Sequence, residues 1–368
     1  MPRARTAVHV VGRASLAALH GKAVSLTLRR YTERFFSPMP IFHSRRSRDL
    51  VRSVRKSLVL TRRRVSRGLY NLKRRGRQTG DGIAPERLVW IFGSARTGST
   101  WLGAMMADLE GHAWWHEPMV GYLFGHLYYE RARARRRDEN FILGGDKDLW
   151  LDPVRRFVLD SAGARFPERV DGGYLVIKEP HGTLGAPLLS EALPESRMIV
   201  LVRDPRDVIS SKMDAARVGS WAEEAQKRKG QEKKNTSADR KPDAFVKSQA
   251  RRYARLIGLA QQAYDAHKGP KILVRYEDLR AEPLKTMRHI YERLEIPVEE
   301  RELARVVQKH AWENIPERKK GAGKFYRKGS PGGWAEDLTQ EQAEAVESIT
   351  APVLERYYAE VRPSSPEG

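Results

Sequence analysis

Two segments of the chain couple an apolar run to a turn of small, hydroxylated and cationic residues, the combination that holds phosphate: Leu88-Val-Trp-Ile-Phe-Gly-Ser-Ala-Arg-Thr-Gly-Ser-Thr-Trp-Leu102 and Met198-Ile-Val-Leu-Val-Arg-Asp-Pro-Arg-Asp-Val-Ile-Ser-Ser211. In the first, Gly93 and Gly98 permit a tight loop. A helix opening near Ser99 aims unpaired N–H groups and the positive end of its dipole at an anion. Arg96, Thr97, Ser99 and Thr100 add charge-assisted and hydroxyl hydrogen bonds. Gly93 to Thr100 fits the nucleotide-triphosphate loop G-x-x-x-x-G-K-[ST] everywhere except Ser99, which stands where lysine belongs; this argues against an ATPase. In the second segment Arg203 ends a strand and Ser211 follows eight residues on, in the second turn of the next helix, so both side chains can reach one phosphate. Two phosphate sites imply a doubly phosphorylated nucleotide.

These residues resemble the family of sulfotransferases that use 3′-phosphoadenosine 5′-phosphosulfate (PAPS), in a bacterial form. Gly93-Ser94-Ala95-Arg96-Thr97-Gly98-Ser99-Thr100-Trp101 is similar to the family's 5′-phosphosulfate loop, in the arginine version of the carbohydrate and tyrosylprotein branches. Arg203 and Ser211 match its 3′-phosphate motif, and Arg327-Lys-Gly-Ser-Pro-Gly-Gly-Trp334 matches the cytosolic-type R-K-G-x-x-G-x-W segment that closes over the nucleotide. The resemblance spans about residues 88–360. It implies PAPS as donor, adenosine 3′,5′-bisphosphate (PAP) as product, Trp101, Tyr276 and Trp312 around the adenine, and Arg327, Lys328 and Gly329 above the 3′-phosphate. Trp334 is expected to anchor that last loop.

Sulfuryl transfer needs a fixed donor, a base for the acceptor hydroxyl, and cations where charge develops on the bridging oxygen. Arg96 and Lys178 are the candidate cations, and no metal is called for. Glu117, in Trp114-Trp-His-Glu-Pro-Met119, resembles the base of the tyrosylprotein branch, and the neighbouring tryptophans are expected to raise its pKa toward neutrality. His116 competes for the role. In Val176-Ile-Lys-Glu-Pro-His181, cytosolic sulfotransferases carry their base histidine where Pro180 stands here, so His181 is displaced by one, and Glu179 is a fallback. A small-molecule or nucleoside kinase would use the same first loop but lacks its lysine; a non-catalytic nucleotide-binding protein held at a membrane is a further alternative. Of the acceptors, a carbohydrate or glycolipid is favoured.

The elements that must position these groups read as α/β: a three-layer, P-loop-like fold with a central parallel sheet flanked by helices. Strands are expected at Leu88–Phe92, Tyr174–Lys178, Met198–Arg203 and Lys271–Arg275. Helices are expected at Ser99–Leu109, Leu184–Leu193, Pro205–Ala216, Asp243–His267, Leu284–Leu294, Glu299–Lys309 and Thr339–Tyr358. The polar stretch Glu223 to Pro242 reads as a loop or lid, and Arg131 to Arg137 as a basic run near the acceptor cleft.

The 368 residues carry a net charge of +22, divided unevenly. Residues 1–80 hold 21 Lys and Arg against two acids, while the remainder carries 47 against 44. We therefore expect a basic helical appendage over residues 1–86 and a sulfotransferase domain over 87–362. Leu50, Val51, Val54, Leu58, Val65, Leu69 and Leu72 recur at helical spacing between the charges, which suits a basic amphipathic helix on an anionic membrane surface. No nucleic-acid reader motif accompanies the charge. With no cysteine there are no disulfides or thiolate metal sites. The expected location is the cytoplasm, peripheral to the membrane, and the number of subunits is left open.

Overall fold

The computed structural model of the chain describes residues 83–166, 173–228 and 241–359. The appendage expected over 1–86 lies outside these residues except for its last four, as does most of the expected lid.

Five parallel strands form one sheet in the order β2-β3-β1-β4-β5: β1 (Leu88–Gly93), β2 (His112–His116), β3 (Tyr174–Lys178), β4 (Arg197–Val202) and β5 (Lys271–Arg275). The central strand β1 is buried along its whole length, and its alternation feeds two cores. Leu88, Trp90 and Phe92 face one apolar cluster; Val89 and Ile91 face the other. Helices cover both sides, as a parallel sheet requires. On the first side lie α3 (Leu151–Arg165), α4 (Ala186–Ala192), α7 (Pro242–Ala266) and α11 (Gln340–Tyr357). On the second lie α1 (Ser99–Ala107), α9 (Pro283–Arg293) and α10 (Glu300–Lys309). The short α2 (Val120–Gly125), α5 (Pro205–Ala216), α6 (Trp221–Arg228) and α8 (Tyr276–Ala281) follow strand ends or loops near the carboxyl edge. Among the described residues no helix is long and apolar enough to cross a membrane.

Local sequence explains where these helices start. Proline stands in the first turn of α5, α7 and α9, where its missing N–H costs nothing. Asp204 caps α5 by accepting from Arg206 N, and Thr339 with Gln342 forms a reciprocal capping box on α11. Glycine contacts bring α2 against the turn 182–185: a Cβ on Gly121 would lie 2.2 Å from Gly182 O, and one on Gly125 2.4 Å from Gly185 N.

The connection that leaves β1 runs toward β2 and the one that leaves its neighbour β4 runs the opposite way, toward β5, so the crossovers diverge between β1 and β4. The crevice that opens beyond the carboxyl ends of the strands at such a point is where these folds take ligands. The expected strands and the Pro205–Ala216 helix appear where the sequence places them. Two readings need correcting. β2 is a strand that was not expected, and residues 223–228, read as loop, continue the α6 helix that starts at Trp221.

Candidate functional site

The loop after β1 and the loops after β2, β3 and β4 meet over one cavity of about 300 Å³. Its lining includes Ala95, Arg96, Gly98, Ser99, Thr100 and Trp101 from the first loop, Glu117 and Lys178 from the next two strand ends, and Arg203 and Ser211 from the fourth. Tyr276, Trp312, Arg327, Lys328 and Gly329 close it from the C-terminal side. Gly93, Ser94 and Thr97 lie beneath. Thr97 Oγ1 donates to Ser94 O at 2.8 Å and Gly93 N donates to Thr183 Oγ1 at 2.9 Å, so these residues shape the loop from behind.

The first loop is bent by Gly98 at φ +89° and Arg96 at φ +76°. A non-glycine residue in the left-handed region costs roughly 1–3 kcal/mol, and such strain is held only where surrounding contacts fix it. Arg96 is fixed on both sides. Its Nε donates to Ser211 Oγ at 2.9 Å, its Nη2 donates to Phe325 O at 2.8 Å, and its guanidinium lies 5.4 and 4.9 Å from the ring centroids of Trp221 and Phe325, which meet edge-on beside it. Burial, then the charge of Arg203, pull its pKa down to about 10, so it remains a cation at neutral pH.

Arg203 sits with its guanidinium 4.2 Å from the Tyr276 ring centroid and gives Nη1 to Arg96 O at 3.3 Å. Its Nε is buried with no hydrogen-bond partner, and its Nη2 lies 3.6 Å from Asp207 Oδ2. Ser211 lies on the far side of Arg96, so the Arg203–Ser211 pair brackets the loop. Arg327 donates to Ser210 Oγ at 2.8 Å and is paired with Asp337. Asp207 accepts from Gly332 N at 2.9 Å and Trp334 N at 3.1 Å, and Arg206 stacks on Trp334 at 4.2 Å. The segment 327–334 is thereby tied to the first two turns of α5. Three cationic side chains converge here with serine hydroxyls and glycine-rich backbone, a donor set suited to phosphate.

An aromatic wall stands beside it. Trp101 Nε1 donates to His310 O at 2.8 Å and its ring meets Tyr276 edge-on at 6.4 Å. Tyr276 Oη and Arg280 Nε both donate to Gly329 O, at 3.0 and 2.9 Å, their spacing of one helical turn on α8 directing them to one carbonyl. A Cβ on Gly98 would stand 2.5 Å from the Tyr276 ring and one on Gly329 2.5 Å from Trp312, so both glycines let backbone lie against aromatic faces.

At the other end of the cavity, β2 and β3 pair with His116 opposite Lys178, and Glu117 N donates to Lys178 O at 3.0 Å. This pairing puts Glu117 Oε1 2.6 Å from Lys178 Nζ. Lys178 also donates to Thr100 Oγ1 at 2.9 Å and lies 3.2 Å from His116 Nε2. Glu117 is itself strained, at φ +50° although it precedes a proline. The expected rise in its pKa is not what the structure has. Burial pushes the carboxyl up, but the hydrogen bond and charge of Lys178 outweigh it and hold Glu117 below the ordinary value. The tryptophans lie elsewhere: Trp114 packs over Gly103, and Trp115 meets Phe166. Burial lowers Lys178, His116 and His181 from their ordinary values, so both histidines are neutral at pH 7.

Glu179 is not part of the cavity wall. It is fully buried and accepts from Val120 N at 2.9 Å, capping α2, and burial raises its pKa to about 7. As a fallback base it is corrected to a structural group. Sequence reasoning passed over Trp221, Phe325 and Arg280. Phe325 and Tyr326 stand directly before Arg327, and Arg280 follows Tyr276 by one helical turn, so both carried a positional signal; Trp221, alone before a polar stretch, carried none.

Among solved structures, mouse sulfotransferase SULT7A1 complexed with PAP is similar at 13% identity, over 75% of this chain and 88% of that one, with a TM-score of 0.47. Sulfotransferase STF9 from Mycobacterium avium is similar at 15% identity over 75% and 78%, with a TM-score of 0.43. A sulfotransferase from Alicyclobacillus acidocaldarius is similar at 13% over 75% and 96%, with a TM-score of 0.41. No curated protein matches in sequence. The model of the sulfotransferase family matches residues 89–300, more than half of the chain and both phosphate-type turns with the Glu117 and Lys178 strand ends between them; the chain belongs to the sulfotransferase family.

Proposed function

We propose that the protein transfers the sulfuryl group of PAPS to an acceptor hydroxyl, with a carbohydrate or glycolipid as the favoured acceptor class. The observation that carries this reading is the division of one cavity between a cationic, aromatic-walled end and a Glu117–Lys178 pair 2.6 Å apart. The residues fit the donor: Arg203, with a buried Nε lacking a partner, Ser211 and the 327–329 loop would hold the 3′-phosphate, the Gly93–Thr100 loop the 5′-phosphosulfate, and Trp101, Tyr276 and Trp312 the purine.

In the reaction the acceptor oxygen forms a bond to sulfur, the bond from sulfur to the 5′-phosphate oxygen breaks, and the hydroxyl proton passes to Glu117. Lys178 is placed to serve both ends of that exchange. While it is bonded to Glu117 the carboxylate is ionised but weakly basic. When its ammonium turns to the charge developing on the departing oxygen, Glu117 loses the interaction that depressed its pKa and becomes a better base. His116 and His181, lowered by burial, stand at pH 7 in the form that can itself accept a proton, so His116 remains the competing base and the loss of turnover in Glu117→Gln decides between them.

Calorimetric titration with PAP, adenosine 5′-monophosphate and ATP tests the donor site. Preference for PAP that disappears in Arg203→Ala supports it, and indifference to the 3′-phosphate overturns it. Glu117→Gln is expected to cut turnover by roughly a hundredfold or more with little change in PAP affinity.

A further inference from the structure

Arg96 stands on the loop that receives the 5′-phosphosulfate in the proposed reaction, yet its side chain leaves that loop and ends among the residues of the 3′-phosphate site. Nε donates to Ser211 Oγ at 2.9 Å and Nη2 donates to Phe325 O at 2.8 Å, two residues before Arg327 in the chain. Arg203 reaches the same corner from the end of β4 and gives Nη1 to Arg96 O at 3.3 Å. Arg327 arrives from the C-terminal side and donates to Ser210 Oγ at 2.8 Å, beside Ser211 on α5. Three guanidinium groups thus gather at one end of the cavity, all of them in its lining. The carboxylates there already have partners: Asp337 takes Arg327 and Lys328, Asp207 takes Gly332 N and Trp334 N, and Asp214 takes Gly323 N at 3.0 Å. Among the described residues no carboxylate forms an ion pair with Arg96.

The hydrogen bonds at this corner leave room for an anion. Of the five N–H donors of a guanidinium, Arg96 commits one to Ser211 and one to Phe325 O, and Ser211, which accepts from Arg96, keeps its own O–H to donate. Arg203 Nε is buried without a partner. The reacting groups meet the other end of the same loop. Thr100 Oγ1 accepts from Lys178 Nζ at 2.9 Å, and Lys178 holds Glu117. Among the described residues no hydrogen bond or ion pair joins Arg96 to Thr100, Lys178 or Glu117. Its effect on Lys178 acts through space and ranks behind burial and Glu117.

We infer that Arg96 is a specificity residue for the 3′-phosphate of the donor, a third arginine beside Arg203 and Arg327, and that the cation at the bridging oxygen is Lys178. This rests on the proposed function and replaces the role at the transferring group expected for Arg96. One loop then contacts both phosphates, the 5′-phosphosulfate through its backbone N–H groups and the 3′-phosphate through this side chain. The same guanidinium holds Phe325, and with it the approach to Arg327, against the site. A nucleotide without the 3′-phosphate leaves the gathered guanidinium groups uncompensated, which discriminates more strongly than the loss of an apolar contact.

The test compares PAP with adenosine 5′-monophosphate, which keeps the 5′-phosphate and lacks the 3′-phosphate, by calorimetry on the full chain and on Arg96→Gly and Arg96→Lys. Arg96 has φ +76°, a conformation that glycine adopts freely, so Arg96→Gly removes the side chain and adds no backbone strain; its melting temperature without nucleotide reports whether the fold is kept. In Arg96→Gly the affinity for PAP is expected to fall roughly tenfold or more, as for a lost charge-assisted contact, while that for the monophosphate changes by less than about threefold. Arg96→Lys keeps the charge without the fork that spans Ser211, Phe325 O and a phosphate, and should fall between the two. In sulfuryl transfer the loss should appear in the KM for PAPS, with kcat at saturating donor reduced by less than about tenfold. Equal losses for PAP and the monophosphate, no loss for either, or a kcat lowered by roughly a hundredfold with KM unchanged would overturn the inference and return Arg96 to the transferring group. If Arg96→Gly does not fold, Arg96→Lys decides by the same comparison: a loss confined to PAP supports the inference, and an equal loss or none overturns it. An unaltered protein that does not prefer PAP to the monophosphate would instead overturn the donor assignment on which the inference stands.

Discussion

Replacing Lys178 by methionine removes the cation from Glu117 while keeping most of the side-chain volume, and the response can be worked out from the 2.6 Å separation. Even with the dielectric constant of bulk water, two unit charges at that distance attract by about 1.6 kcal/mol, which is ~1.2 pH units in the pKa of the carboxyl. Glu117 retains 29% of its side-chain exposure, so the water value is a suitable floor. Burial, which already pushes this carboxyl up, is then unopposed by Lys178. The pKa of Glu117 should therefore move from below the ordinary glutamate value to above it, by at least one unit. The assay is a carbon-NMR pH titration of protein labelled at the glutamate carboxyl, with the Glu117 resonance identified by its loss in Glu117→Gln. A consistent sign appears in stability. A carboxyl whose folded pKa is depressed stabilises the fold above its unfolded pKa and loses that contribution as pH falls through the folded value, so Lys178→Met should remove part of the acid sensitivity of folding. A Glu117 titration that shifts by less than half a unit would refute the reasoning, because the pair would not then exist in solution.

Gly98→Ala should place a methyl group 2.5 Å from the Tyr276 ring at a backbone φ of +89°, and Tyr276 is held by Gly329 O; we expect a lower melting temperature and a loss of PAP affinity of tenfold or more, and unchanged PAP binding in calorimetry would contradict the packing described. Glu179, raised from 4.5 to about 7, keeps a proton in the folded state that the unfolded chain has released, so stability should fall as pH rises through that window by on the order of 3 kcal/mol. Glu179→Gln should flatten the fall seen in denaturant titrations between those pH values, and an unchanged slope would show that Glu179 is not its source.

How far the sequence could be read depends on whether a signal was local. The buried strands β1, β3, β4 and β5 announced themselves as short apolar runs ending in turn residues, and the first-turn prolines of α5, α7 and α9 marked helix starts. β2 did not, because His112-Ala-Trp-Trp-His116 has neither β-branched residues nor alternation; it is a strand because the edge of β3 gives its backbone partners. α3 buries Val154, Val158, Ala162 and Gly163, a narrow stripe of small residues that sequence periodicity registers poorly.

The candidate site divides in the same way. Residue types in the phosphate loops were legible because backbone N–H groups, glycines and arginines near one another in the chain already specify anion binding. The electrostatics of Glu117 was not legible, because its controlling neighbour comes from a strand sixty-one residues later and only the register of β2 against β3 brings the two together. Reading the adjacent tryptophans as its environment gave the wrong sign, since Trp114 packs on Gly103 and His116, and Trp115 on Phe166, while Lys178 holds the carboxyl. Lys212 follows the same logic. In the chain it is one more cation after Ser211; in the fold it is a buried ammonium with Ser94 as its hydrogen-bond partner and Arg96 and Arg252 as its electrostatic neighbours. Charges whose meaning depends on partners from other elements are where a physical reading of the structure adds most to the motif, as the Glu117–Lys178 pair and the Lys212–Ser94 contact show.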